Sequence, residues 1–462
     1  MTVIQDAGTS SLQRRLNNII RGEGRICLIG LGIATISFQT GYDSVVTAGF
    51  QGMPGFLAVF GYKDPSSPLG YNLPTHVQTL IQSLMTMGSL VSSLFVFLIG
   101  SHISRKTALW VACVMCIVAV SVQIASTNLN ALYIGRFLLG LSNGIFTHTP
   151  RYYIVKGNYE KAAYAIRRLR NITDEDLLRE EVEQMKNAHA AEQEAKGKTH
   201  FFDIFKGVDL RRTLLLYGLA CSQVVTGRGF LSQFSVYFLG QAGISDPFLW
   251  VMITYIISLT GNFVASFLVR YRPRKTLLIV GLTIMAVAMF VMAIPSTVQG
   301  TSVGAGRVLV AMYIIHTWVG NATTMPCAAC LSAEIPSQRL RPEMVGTSSL
   351  VIWGTAWLIA YTTPYFINPE QLNWGAKYAW VWGASCTILA VWTWAFVPET
   401  MGRSLEQIDE LFKKRVPARK FRTFQVETEN IDEKYSRRKL EKHEGEVRST
   451  SIVVEPVVEV KG

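Results

Sequence analysis

Long apolar runs recur along this chain, near residues 26–50, 78–100, 107–126, 131–147, 212–240, 247–269, 276–295, 306–332, 344–367 and 376–397. A membrane helix needs roughly 20 apolar residues. A single run of that length could be a buried core helix, but about ten of them point to an all-α polytopic membrane protein. The composition agrees, because only 16% of residues are charged, against about 25% in an ordinary soluble chain.

The formal charge of +12 would suit a nucleic-acid binder if the chain were soluble. Its distribution argues otherwise. Arg14, Arg15, Arg21 and Arg25 precede the first apolar segment, and Arg105 and Lys106 join the second to the third. Arg270, Arg272, Arg274 and Lys275 fill one later junction, and Arg339 and Arg341 the next of the same parity. The alternate junctions carry little positive charge. This pattern follows the positive-inside rule and predicts both termini in the cytoplasm, with nucleic acid excluded as a partner. No apolar core with a cleavage site precedes Arg25, so no cleaved signal peptide is read and the first span is expected to direct insertion. The seven cysteines all fall in or beside apolar segments. Cys327 and Cys330 have the spacing of a redox or metal pair but no second pair of ligands, and are read as packing residues. Asn171 to Thr173 fits the glycosylation pattern, but on the predicted cytosolic side.

The segments divide the chain into a cytoplasmic start (1–25), four spans (26–147), a polar block (148–211), six spans (212–397) and a tail (398–462). The polar block reads as two or three charged surface helices. The tail opens with the amphipathic "SLEQIDELFKKR", for which Ser404 is the expected N-cap, and then becomes mixed in charge and poor in order-forming residues. Transporters are often built from two related halves. The turns "GSHISRKTALWVAC" and "VRYRPRKTLLIVG", each following a second span, suggest such a duplication. On that view the first half is two spans short.

Several motifs stand in order: "GRFLLGL", "TPRYYIVKGNYEKAAYAIRRLR", "GISDPF", "AEIPSQRLR", "PYFINPEQLNWGAK" and "PETMGRSLEQIDELF". Together they resemble the sugar porter family of the major facilitator superfamily, most closely fungal hexose and α-glucoside permeases. The resemblance implies two pseudo-symmetric helical bundles. It also implies that helices five and six are missing between "GRFLLGL" and the loop motif, leaving about ten spans where the family has twelve. Losing two spans preserves the sidedness of everything downstream. Either a shortened gene model or splice form, or a ten-helix protein, would account for the gap.

By the same resemblance Asp43 is the proton acceptor and Arg136 its partner. A charge at membrane depth costs roughly 2.5–3.5 kcal/mol on insertion scales, so such groups face a protein interior and pair. The alternative is an Asp43 at the wet membrane edge beside a structural Arg136. Gln223, Asn262 and Trp353 are the candidate sugar contacts, since buried hydroxyls must be re-paired and sugars favour an aromatic face. A lone glutamine in a membrane helix also serves as interhelical glue. The helix-seven pattern departs from the family at Val224 and Gly229, and Arg228 adds a charge the family does not use there; Ala329 and Ala356 replace further family contacts. Arg105, Lys106, Glu334, Arg339, Glu399 and Arg403 are expected to form the conformational charge network at the inner helix ends, or else a solvated basic rim. Arg270 and Pro273 depart from the second basic turn. His316 is read as a buried, bonded histidine in preference to a proton relay.

The resemblance thus implies a secondary active sugar transporter of the plasma membrane, taking up a hexose or α-glucoside with protons by alternating access. Its partners would be the sugar, protons and the bilayer, with no cofactor or metal, and no enzyme site is visible. Two alternatives remain open at this stage: a non-transporting sugar sensor, and a truncated inactive product.

Overall fold

The computed structural model describes residues 41–65, 70–99, 105–146, 200–298 and 303–424, apart from 44, 242 and 245, with backbone alone at 105, 106, 146, 241, 296 and 303. The predicted helices at 148–199, the glycosylation pattern at Asn171 and the first part of the first span lie outside these residues.

Helix α1 (41–50) leads through α2 (Pro54–Phe60), which starts on a proline at its first turn. A two-stranded antiparallel hairpin follows, pairing Tyr62 with Asn72 and Lys63 with Tyr71. Then come α3 (Thr75–Ile99), α4 (Arg105–Ile124) and α5 (Leu129–Phe146). The second half comprises α6 (Gly207–Val224), α7 (Arg228–Gln241), α8 (Pro247–Tyr271), α9 (Arg274–Val298) and α10 (Val303–Val319), with a π-turn at Gly320–Thr324 leading into α11 (Met325–Glu334). Helices α12 (Arg341–Ile367), α13 (Ala379–Phe396) and α14 (Leu405–Lys413) complete it. Among the described residues seven helices are long and apolar enough to cross a membrane, counting α6 with α7 as one. Helix α5 is a less apolar span because it carries Arg136, Asn130 and Asn143. The apolar run at 306–332 is divided by the π-turn between α10 and α11.

Two expectations need correcting. The span expected at 212–240 is two helices, because the β-branched run Val224–Val225–Thr226 meets Gly227, which adopts φ +81. No L side chain takes that conformation readily, and a Cβ there would also press on Met289 and Trp382. The carbonyls freed by the break are re-paired: Val225 accepts from Ser385 Oγ at 2.7 Å, and Thr226 meets the buried His316 Nε2 at 2.9 Å. The polar block ends before 211, because α6 begins at Gly207 and folds Arg211 and Arg212 into its opening turns. After α14 Phe421 is fully buried and packs edge-on against Phe412, and the tail beyond 424 lies outside the described residues. Ser404 does cap α14, its Oγ accepting from Gln407 N at 3.3 Å.

Helix α3 is the seam of the molecule. It packs on α5 within the first bundle and on α12 of the second along its length. Small residues allow the first approach: a Cβ on Gly140 would collide with the Met85 carbonyl, and one on Gly88 with the Phe137 carbonyl. The second bundle has its own aromatic core, centred on Phe230, Phe234, Tyr313, Tyr378 and Trp382. Apolar side chains such as Trp110 and Ile117 of α4 and Phe263 and Phe267 of α8 point outward, as a lipid solvent requires.

Candidate functional site

Arg136 is 3% exposed, inside α5. The charged group whose field reaches it is Asp43, on α1. The two candidate coupling residues therefore share one electrostatic neighbourhood. Gln78 Nε2 of α3 donates a buried hydrogen bond to Oε1 of Gln51, the residue after α1, at 2.8 Å.

In the second bundle a cavity of about 650 Å3 is lined by Gln223, Asn262, Ser266, Asn321, Arg270 and Arg274, among others. Two of the three candidate sugar contacts thus meet in one space, Gln223 from α6 and Asn262 from α8. Trp353, half-buried on α12, is not part of that lining. Sequence reasoning missed Asn321, which holds Arg228 Nη1 on its Oδ1 at 2.6 Å. The signal was available: an asparagine next to glycine in an apolar run.

Both halves are tied together at the end remote from the basic turns. Tyr237 OH lies 2.7 Å from Asn368 Oδ1 and 3.2 Å from Asn72 Oδ1, Asn368 Nδ2 donates to Thr75 Oγ1 at 3.0 Å, and Tyr62 OH donates to Glu370. Gln82 Nε2 adds a bond to the Gln233 carbonyl at 3.0 Å. None of these groups was singled out from sequence, because each pairs across hundreds of residues.

At the basic end the candidate network residues that are described bond to groups other than one another. Glu334 pairs with Arg274, a residue of the very turn that departs from the family pattern. Glu399 caps α9, accepting from the backbone N–H of Arg274 at 3.1 Å and of Lys275 at 3.0 Å. A carboxylate there also opposes the positive end of the helix dipole. Arg339 pairs with Asp209 at 3.1 Å, and Arg403 donates to the carbonyls of Phe421, Arg422 and Phe424. Arg105 and Lys106 begin α4, and their side chains lie outside the described residues. Sequence reasoning missed Arg212, 2% exposed, whose Nη1 meets Asp409 Oδ1 at 2.6 Å and so locks α14 onto α6. Cys327 is buried against Leu278 and Leu331, and Cys330 is half-buried one turn on.

The family model described as "Sugar (and other) transporter" matches residues 29–149 and 146–412. The chain belongs to this sugar transporter family. Among its relatives is a probable glucose transporter of Neurospora crassa, rco-3, 24% identical over 86% of this chain and 81% of that protein. A maltose permease of Saccharomyces cerevisiae is 29% identical over 63% of this chain, which spans about half (48%) of the permease. A general α-glucoside permease of the same yeast is 34% identical over 48% of this chain and 36% of that protein. The proton:xylose symporter XylE superposes with a TM-score of 0.66 at 16% identity, covering 85% of this chain and 100% of the symporter. Its inward-open form, from E. coli, gives 0.61 at 16% identity, over 84% and 99% of the two chains. The fold of this sugar porter is that of the major facilitator superfamily. The two family matches meet at 146–149, the join between "GRFLLGL" and the loop motif.

Proposed function

We propose that this sugar porter moves a sugar of the hexose or α-glucoside class across the plasma membrane by alternating access, coupled to protons. The observation that carries the reading is asymmetry between the two ends. The end remote from the basic turns is closed by Tyr237, Asn368, Asn72 and Thr75. The cavity holding Gln223, Asn262 and Asn321 instead reaches the basic turn at Arg270 and Arg274. With the basic turns and both termini in the cytoplasm, this is a state sealed outside and accessible from within. Asp43 is the proton acceptor: while ionised it attracts Arg136, and protonation releases that attraction. The rim pairs Arg274–Glu334 and Arg339–Asp209, with the Glu399 cap and Arg403, hold the inner helix ends in register.

Uptake of labelled glucose or maltose in a host lacking its own sugar transporters tests this. Uptake above the empty vector supports transport. No uptake, with the protein visible at the membrane, refutes it, and genuine uptake indifferent to an ionophore refutes only the proton coupling.

A second reading, a shortened and inactive product, is favoured by polar groups that packing leaves unserved. Asn262 is exposed on α8, and both amide atoms of Asn143 are buried without a hydrogen bond. Such groups are costly in lipid. A chain that purifies in detergent as one monodisperse species contradicts it.

A further inference from the structure

The apolar segments carry an unequal set of charges. Asp43 is the one Asp or Glu within all of them. Two guanidiniums lie inside the same segments away from their ends, Arg136 in α5 and Arg228 at the first residue of α7, while Arg212 and Arg307 stand at segment ends. Arg136 has Asp43 for a counter-charge. Among the described residues Arg228 has no such acid: it donates to the neutral amide of Asn321 at 2.6 Å, and the ionisable neighbours whose fields it feels are the phenols of Tyr255 and Tyr313. Because no further acid exists in any span, no undescribed part of the membrane region supplies one.

The placement is unfavourable twice over. A guanidinium in a membrane segment needs a counter-ion or water, and the N-terminus of a helix is already the positive end of its dipole. Around it stand further buried hydroxyls and no acid: Tyr313 and Ser235 are 2% and 1% exposed and interact with each other, as Tyr313 does with Tyr255. Room is left beside it, since a Cβ on Gly229 would touch only Ile359, at 3.8 Å. Asn321, which holds the guanidinium, lines the cavity that also contains Gln223.

We propose that Arg228 binds a carboxylate of the substrate, so that the sugar carried is a sugar acid: a hexose-sized monosaccharide with one carboxylate. A single guanidinium balances one negative charge, and its planar donors fit a carboxylate. A sugar phosphate, close to doubly charged, would leave one charge unbalanced. This inference rests on the transport reading above and narrows its substrate.

The test compares glucuronate, its uncharged methyl ester and glucose on the purified full-length protein by thermal shift and competition, and as labelled solutes in the transporter-null host. Glucuronate should bind at least about tenfold more tightly than the ester or glucose, the scale expected when a buried charge pair is broken. Arg228→Gln should abolish that preference and Arg228→Lys retain part of it, with unliganded melting temperature and elution volume reporting whether each variant is folded. The ester comparison needs no variant and stands if Arg228→Gln fails to fold. Glucose binding or uptake equal to or better than that of glucuronate overturns the inference and leaves sugar transport intact. So does a folded Arg228→Gln with an unchanged preference. Absence of binding and uptake for every sugar overturns both.

Discussion

At the residue scale, function rests on a few charges with little solvent to screen them. Replacing Asp43 with Asn removes the titrating group and the counter-charge of Arg136 together; uptake should fall and lose its dependence on external pH, as measured across pH 5 to 8, roughly the range that proton-coupled groups sense. Unchanged pH response would remove Asp43 from the coupling. The outer latch titrates at the opposite extreme. Burial, and then the hydrogen bond to Glu370 and its charge, push the Tyr62 phenol up to about 12. A raised value means the folded state holds the proton more tightly, so the contribution of this latch is complete below about pH 10, the ordinary phenol value, and is lost as pH climbs towards 12. Tyr62→Phe should flatten that stretch of a melting-temperature profile against pH. Arg212 is a structural case. Arg212→Ala removes its bonds to Asp409, which keeps its pair with Lys413 at 3.0 Å, and should destabilise the second bundle by about 1.5–3 kcal/mol in detergent melting.

At the element scale, the helices are set by where side chains are missing as much as by where they are present. Helix α3 reaches α5 only because Gly88 and Gly140 present bare backbone to the opposing carbonyls. Gly140→Leu forces these helices apart and should cost at least about 1–3 kcal/mol, the range for overpacking. Proteolysis and melting of the first bundle would register it. A neutral result would mean that the two helices do not approach as closely as the backbone indicates. The break between α6 and α7 follows the same logic: Gly227 turns the chain, and Ser385 and His316 take up the freed carbonyls, so that α7 begins in mid-membrane with Arg228 at its head.

At the scale of the whole molecule, two bundles meet along α3 and α12 and are fastened at one end by a cluster of amides and hydroxyls. Asn368 is its hub, bonded to Tyr237 and Thr75. Asn368→Ala removes both bonds and should shift the population towards an outward-open state. The expected readout is faster external maleimide labelling of Gln82→Cys, a position now 4% exposed behind the latch. Labelling as slow as in the otherwise unaltered protein would show that the latch does not control the outer mouth.

Membrane residence, the all-helical fold and the sugar-porter family were legible in the sequence, because lipid imposes its rules locally: a span must be apolar over its own length. The candidate pair Asp43 and Arg136 was legible for the same reason, a charge in an apolar run being conspicuous wherever it lies. The partners of Glu334 and Glu399 were not legible, nor were the latch around Asn368, the mid-membrane break at Gly227 or the hold of Asn321 on Arg228. Those depend on which helix faces turn towards each other, and that is fixed by close packing between elements far apart in the chain, where a single glycine or a single amide decides the contact.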